Sequence, residues 1–403
     1  MSQLLLQEIE KGSKSAQTKK RIITHYIYSG SSTLTDLSKE LDLSVPTVTK
    51  FVMEMCDEGY IIDYGKLETS GGRHPNLYGL NPESGYFVGV DIKKFAINIG
   101  MINFKGDMME KKLNIPYQFD NTPEALDELC RIIASFIHHT RVETQKVLNV
   151  CVNISGRVNP ESGYSFSIFN FSERPLADIL SEKTGFKVCI DNDTRAMAYG
   201  EYMQGCVKGE KDIIFVNLSW GTGIGIIIDG KIYTGKSGFS GEFGHVSAFD
   251  NEIICRCGKK GCIETEISGS AFYRILMERI AKGESSILSK RVANIKNHPL
   301  TLDELIEAVN KEDLLCIEIV EEIGLKLGKQ VAGLINLFNP EMVIIGGTLS
   351  LTEDYITQPL KTSVRKYSLN LVNKDSVIVT SKLKDKAGLI GACMLARSRM
   401  FEG

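Results

Sequence analysis

Between His245 and Cys262, eighteen residues hold three of the chain's ten cysteines and one of its six histidines. His245, Cys255, Cys257 and Cys262 offer one imidazole and three thiolates, a donor set suited to tetrahedral zinc at about 2.0–2.3 Å. Gly258 and Gly261, within CRCGKKGC, let the backbone turn tightly enough for neighbouring thiolates to converge. The bland alternative is three reduced thiols that happen to lie near a packed histidine. Four protein ligands leave no position for water, so such a zinc would be structural and not hydrolytic. It would hold Glu242 on one side and Glu264 on the other, with His245 between them. Two carboxylates and an imidazole in fixed relation suit the hydroxyls of a polyol. An imidazole can ligate a metal through one nitrogen and donate from the other.

GEFGH followed by CRCGKKGCIE resembles the signature of the ROK family, the repressors and kinases of sugar metabolism. That resemblance implies a structural zinc at the four residues named, and a sugar ring hydrogen-bonded by Glu242, His245 and Glu264. It also matches Asn170, in SIFNFSERPL, to a loop asparagine that contacts the sugar. Asp191-Asn192-Asp193 reads as a loop at the carboxyl end of a strand over 188–190, where α/β sheets place ligands. There Asn192 would fix a hydroxyl, and Asp193 matches the general base of the family's kinases.

These residues need a scaffold. The apolar periodicity predicts three short helices near the start, over 16–28, 33–41 and 44–56. Ser44 is placed as an N-cap and Pro46 sits in the first turn, where a missing amide hydrogen costs nothing. Val45, Val48, Val52 and Met55 are expected inward, which leaves Ser44, Thr47, Thr49 and Lys50 outside. A helix-turn-helix presents that end of its second helix to the major groove, where hydroxyls and a lysine reach base edges and phosphates. Residues 59–64 and 76–80 read as the strands of a hairpin wing, with Arg73 near its tip or base. Positive and negative side chains nearly balance over residues 1–80, so counterion release contributes little, and a protein-interaction module is the competing reading. The order of elements resembles the DNA-binding half of ROK repressors.

From residue 86 the pattern changes to three strands, over 86–91, 96–103 and 108–115, then a helix over 123–140 and an apolar strand over 147–154. Periodicity alone supports a mixed α/β domain. The resemblance implies more: a winged helix-turn-helix (α+β) followed by an α/β actin-like (ribonuclease H-like) two-lobed fold. The expected boundaries are 1–80 for the DNA-binding domain, 81–192 for the first lobe and 193–385 for the second. The last residues, 386–403, are expected as a helix packing on the first lobe. At 403 residues with 43% hydrophobic and 24% charged side chains, the composition is that of an ordinary globular protein. The net charge of −3 gives no global pull toward nucleic acid or membrane. No leader or run of eighteen apolar residues stands out, and Cys151, Cys189 and Cys393 sit in apolar runs that suit reduced buried thiols, so a cytoplasmic location is expected.

Two nucleotide signals point in opposite directions. Gly221-Thr-Gly-Ile-Gly225 reads as a glycine-rich turn, and Gly346-Gly347 matches the place where the family's kinases hold adenosine. Actin-like kinases, however, carry Asp-x-Gly-x-Thr in the first hairpin, where the glycine admits phosphates and magnesium. Here the matching residues are Asp91-Ile92-Lys93-Lys94-Phe95. Phosphoryl transfer depends almost wholly on positioning, so loss of that cradle should abolish it. The expectation is a non-enzymatic, sugar-responsive regulator, a repressor released from double-stranded operator DNA by a sugar or sugar phosphate bound between the lobes. It would act as a homodimer or dimer of dimers away from any membrane. An active ATP-dependent sugar kinase with an appended DNA-binding domain is the alternative.

Overall fold

The computed structural model describes residues 13–66, 75–293 and 300–401. The chain divides into two compact units, one of Met1–Asn192 with Ala392–Gly403, the other of Asp193–Gly391.

The first unit opens with α1 (Lys14–Ser29), β1 (Ser32–Thr33), α2 (Leu34–Leu41) and α3 (Val45–Asp57), then β2 (Ile61–Lys66) and β3 (Asn76–Leu80). Ile22, Ile23, Leu37, Val48, Val52 and Met55 are fully buried and join the three helices. The Ser13, Thr33 and Ser44 side chains each accept a hydrogen bond from an amide in the first turn of the helix they precede. The wing is a three-stranded sheet in the order β1-β3-β2, because Ser32 and Thr33 pair with Tyr78 and Leu77. Val45, expected inward, is 43% exposed at the first helical position of α3. Lys19 is buried and bonds Glu58 at 2.5 Å, with Glu54 at 3.4 Å.

The rest of this unit is a five-stranded sheet of β4 (Tyr86–Ile92), β5 (Ala96–Asn103), β6 (Met108–Pro116), β7 (Val147–Ile154) and β10 (Val188–Asn192), ordered β10-β7-β4-β5-β6. β4, β5 and β6 are antiparallel, while β7 and β10 join parallel. α4 (Pro123–His139) and α5 (Leu176–Thr184) bury Leu129, Ile133 and Leu180 against one face. Between β7 and α5 lies a small hairpin of β8 (Val158–Asn159) and β9 (Tyr164–Ser165).

The second unit repeats the strand order. α6 (Asp193–Gln204) leads to β11 (Ile213–Leu218), β12 (Thr222–Ile228), β13 (Lys231–Ile232), β14 (Met342–Gly346) and β15 (Val377–Thr380), ordered β13-β12-β11-β14-β15. Its helices are α7 (Glu264–Ile267), α8 (Gly269–Ala281), α9 (Ser289–Ala293), α10 (Leu302–Asn310), α11 (Leu314–Phe338), α12 (Asp354–Tyr367) and α13 (Asn370–Asp375). α12 escapes a periodicity reading because Pro359 stands inside it. Gly324 and Gly328, one turn apart on α11, explain how it packs: a Cβ there would meet the Ile356 and Leu360 carbonyls at 2.7 and 2.4 Å. A last helix, α14 (Ala387–Ser398), crosses the dividing point at Ala392. Among the described residues, no helix is long and apolar enough to cross a membrane.

Candidate functional site

The sequence GEFGH becomes a 3-10 turn over Phe243–His245 that lies against β12. Its glycines are required by close approach: a Cβ on Gly241 would meet the Ile224 carbonyl at 2.1 Å, and one on Gly244 the Thr222 carbonyl at 2.3 Å. Downstream, the Gly258 amide closes a turn on the Cys255 carbonyl at 2.8 Å, and the Cys255 amide donates to the Lys259 carbonyl at 2.8 Å. Gly258 and Gly261 both have positive φ, at 84° and 73°, so the turns expected of them are present. Ser247 bridges Cys262, which ties the two segments together.

The result is a cluster in which one donor atom from each of His245, Cys255, Cys257 and Cys262 lies within 4.8 Å of the others. His245 Nδ1 is 3.5 Å from Cys255 Sγ, and the Cys257 and Cys262 sulfurs are 3.6 Å apart. A tetrahedral ion with arms of about 2.0–2.3 Å requires ligand separations of about 3.5–3.8 Å. The spacing and the donor types therefore fit a zinc-like cation. Burial pushes the Cys262 thiol up to about 12, helped by its hydrogen bond to Cys257. Burial also raises Cys257, but the Lys259 amide and the neighbouring thiols outweigh it and the net shift is downward.

Beyond the cluster stand the carboxylates. Glu242 Oε2 is 3.7 Å from His245 Nε2, the ring nitrogen that faces away from Cys255. Glu264 opens α7, is buried, and its Oε2 accepts from the Thr222 amide at 3.1 Å, while Oε1 lies 3.8 Å from Cys255 Sγ. Arg256 Nη2 is 3.9 Å from Glu264 Oε1. The Thr222 donor is a backbone amide, which leaves no signature in residue type.

Asp191-Asn192-Asp193 is not a loop. Asp191 and Asn192 end β10, and Asp193 is the first residue of α6, because the strand runs directly into the helix. Asp191 is buried and pairs with Arg399 at 2.6 Å. Asn192 donates to the Gly156 carbonyl at 2.9 Å. Asn170 is exposed, and its side-chain oxygen accepts from Asn121 at 3.1 Å. Asp193 Oδ1 accepts from the Thr194 amide at 2.7 Å, and Thr194 Oγ1 accepts from Asn217 at 2.9 Å.

The Gly221–Gly225 run is also not chiefly a turn, because Thr222 already starts β12. Gly225 is needed for packing: a Cβ there would meet Ala198 of α6 at 2.4 Å. Gly347, at φ 81°, packs on Asn217 and Leu218. In the first hairpin, Lys94 and Phe95 are exposed, the Lys93 amide bonds the Ala96 carbonyl at 2.8 Å, and none of residues 91–96 has positive φ.

On α3, Ser44 Oγ caps the Thr47 amide at 3.3 Å and Thr49 Oγ1 donates back to the Val45 carbonyl at 2.8 Å. Lys50 is 69% exposed at the side chain and 4.0 Å from Glu54. Arg73 lies outside the described residues.

Comparison with known proteins bears on both units. Residues 87–399 match the ROK family, and residues 16–62 match a winged helix-turn-helix DNA-binding family. The xylose repressor of Caldicellulosiruptor bescii is 30% identical over 374 residues, covering 91% of this chain and 92% of that protein. A glucokinase of Thermotoga maritima is 30% identical over 318 residues, covering 78% of this chain and 98% of the other. Among solved structures, a ROK family transcriptional regulator described as a homologue of the Escherichia coli MLC protein matches with a TM-score of 0.79 at 24% identity. That match covers 95% of this chain and 96% of the other, and at that identity it speaks for the fold. The kinase matches 78% of the chain, whereas the repressor and the regulator extend over nearly the whole of it. The chain thus belongs to the ROK family, with a winged helix-turn-helix followed by the family's actin-like fold.

Proposed function

We propose that this protein is a sugar-responsive DNA-binding transcriptional regulator, a repressor released from its operator by a sugar or sugar phosphate. The observation that carries the reading is the pairing, in one chain, of a winged helix-turn-helix with Glu242 beside His245 and Glu264 beside Cys255, while the first hairpin lacks glycine and threonine after Asp91. Zinc held by His245, Cys255, Cys257 and Cys262 fixes the sugar-facing groups; when bound, it supplies rigidity and no reactive water. His245 ligates through Nδ1 and keeps Nε2 for a hydroxyl. Glu242 and Glu264 accept from sugar hydroxyls, and Asn170, Asn192 and Asp193 are the further sugar partners, with Asp193 a vestigial base.

Ser44, Thr47, Thr49, Lys50 and Arg73 face DNA. A homodimer, alone or paired into a dimer of dimers, presents two such modules to half-sites about 34–36 Å apart, so a change in module spacing removes affinity. The ligand must bind the DNA-free conformation more tightly, since a ligand indifferent to the two states shifts nothing. The cytoplasm, where thiols stay reduced, suits the Cys cluster.

The second reading is an active sugar kinase with an added DNA-binding module. It is favoured by Asp193 at the start of α6 and by the similarity to a glucokinase. One experiment separates them: operator binding by the zinc-loaded protein to its own upstream DNA, across free and phosphorylated sugars, with ADP release followed in parallel. Release of DNA by one sugar without ADP supports the regulator. ADP formation without DNA binding supports the kinase.

A further inference from the structure

A line of thiols crosses the first unit's sheet on the face opposite its apolar core. Gly89, Cys151 and Cys189 are direct partners across β4, β7 and β10. The residues flanking Cys151 on its own strand, Val150 and Val152, belong to the apolar cluster on the other face. The third sulfur comes from α14: a Cβ built on Gly89 would lie 2.7 Å from Cys393 Sγ, so Cys393 fills the space that the glycine leaves. Cys393 donates to the Gly100 carbonyl at 3.5 Å.

The three thiols are not equivalent. Cys151 and Cys393 are wholly buried, while Cys189 is partly exposed. Asn149 donates to Cys189 Sγ at 3.5 Å, and the Cys151 thiol hydrogen-bonds it as well. Arg399, paired with Asp191 two residues along the same strand, adds positive charge. The hydrogen bond from Cys151 is the chief cause that holds the Cys189 thiol below its usual range, against burial, with Arg399 and Asn149 assisting. The same hydrogen bond, with burial, pushes Cys151 up.

We propose that Cys189 and Cys151 form a redox modification site, converted by a hydroperoxide-class oxidant to an intrachain disulfide. Adjacent strands lie about 4.7–4.9 Å apart, inside the roughly 4.4–6.8 Å Cα separation that a disulfide spans. Cys189, the partly exposed member of the pair, attacks the peroxide as its thiolate: an S–O bond forms, the O–O bond breaks, and hydroxide departs to be protonated. The Cys151 sulfur then attacks the sulfenic sulfur, the S–S bond forms, and the hydroxyl leaves as water with the proton from Cys151. Two thiols lose two electrons to one hydrogen peroxide, and two waters result. The cross-link ties β7 to β10 three residues before Asn192.

The test uses the full-length, zinc-supplied chain exposed to hydrogen peroxide, alkylated and mapped by peptide mass spectrometry. A peptide joining Cys151 to Cys189 is expected, and it disappears with dithiothreitol. In Cys151→Ser, dimedone should trap a sulfenic acid at Cys189. In the untreated wild type, iodoacetamide should modify Cys189 at least about tenfold faster than Cys151 or Cys393. Cys189 staying reduced while other cysteines of the chain oxidise would overturn the proposal, as would a Cys151–Cys393 bond in its place. The wild-type map decides the matter even if a serine variant fails to fold.

Discussion

His245 Nδ1 stands 3.5 Å from the sulfur of Cys255, so the imidazole turns one nitrogen toward the thiols and leaves the other for the Glu242 side. A cation seated there replaces thiol protons, including that of Cys262, whose thiol is pushed up to about 12 by burial. Zinc uptake should therefore release protons, and zinc affinity should fall as the pH is lowered from 8 to 6. Metal analysis should find one zinc per chain, and Cys255→Ser should lose it and lower the melting temperature. A variant that keeps full zinc content would refute the assignment.

Glu242 is half-exposed and 3.7 Å from His245 Nε2. Hydrogen bonds to a charged group contribute about 1.5–3 kcal/mol, so Glu242→Gln should weaken sugar binding about 10- to 100-fold. Calorimetry with the effector found by the operator screen measures this. Zinc content and melting temperature should stay as in the wild type.

Lys50 projects into solvent from the second turn of α3, whereas Ser44 caps that helix. Lys50→Ala should weaken operator binding and reduce the slope of log affinity against log salt by about one. Ser44→Ala removes a cap worth about 1 kcal/mol, so it should also lower the stability of the N-terminal module. Salt titrations of DNA binding, run beside thermal melts, separate the two effects.

Burial opposes the charge on Lys19, but hydrogen bonds to Glu58 and Glu54 prevail and raise its pKa above the usual 10.5. A raised pKa in the folded state means that this stabilisation is complete below 10.5 and lost as pH climbs through the folded value. The melting-temperature gap between wild type and Lys19→Met should be constant from pH 7 to 9 and shrink above 10.5. A gap that widens there would show that the ion pairs do not stabilise the module.

Phe104 is fully buried, with ring centroids 6.1 Å from Tyr60, 5.8 Å from Phe87 and 5.8 Å from Phe401. These rings join the entry to the wing, the first sheet and the chain's end within one unit. Phe104→Ala should cost about 3–5 kcal/mol and split the unfolding of that unit into separate steps. Native-state hydrogen exchange should then give the amides of α1–α3 and those of the first sheet different opening free energies.

The amino-acid sequence determined the donor set of the Cys cluster, the three helices of the N-terminal module with the Ser44 cap, and the strands that open the first sheet. Each of these follows from residue type and local spacing: thiolates near glycine turns, a serine before a proline in the first turn, apolar residues at strand or helix period. Tertiary structure decided what depends on neighbours far along the chain. Gly223 and Gly225 entered a strand because Thr194 and Ala198 of α6 pack upon them, and a Cβ would have closed that space. Asp193 became the first residue of a helix because β10 leads into α6 without a loop. Glu264 found the Thr222 amide, and Cys393 came to rest over Gly89, across 42 residues in the first case and some three hundred in the second. No local pattern encodes such meetings, because they are set by the pairing of strands and by where a missing side chain leaves room.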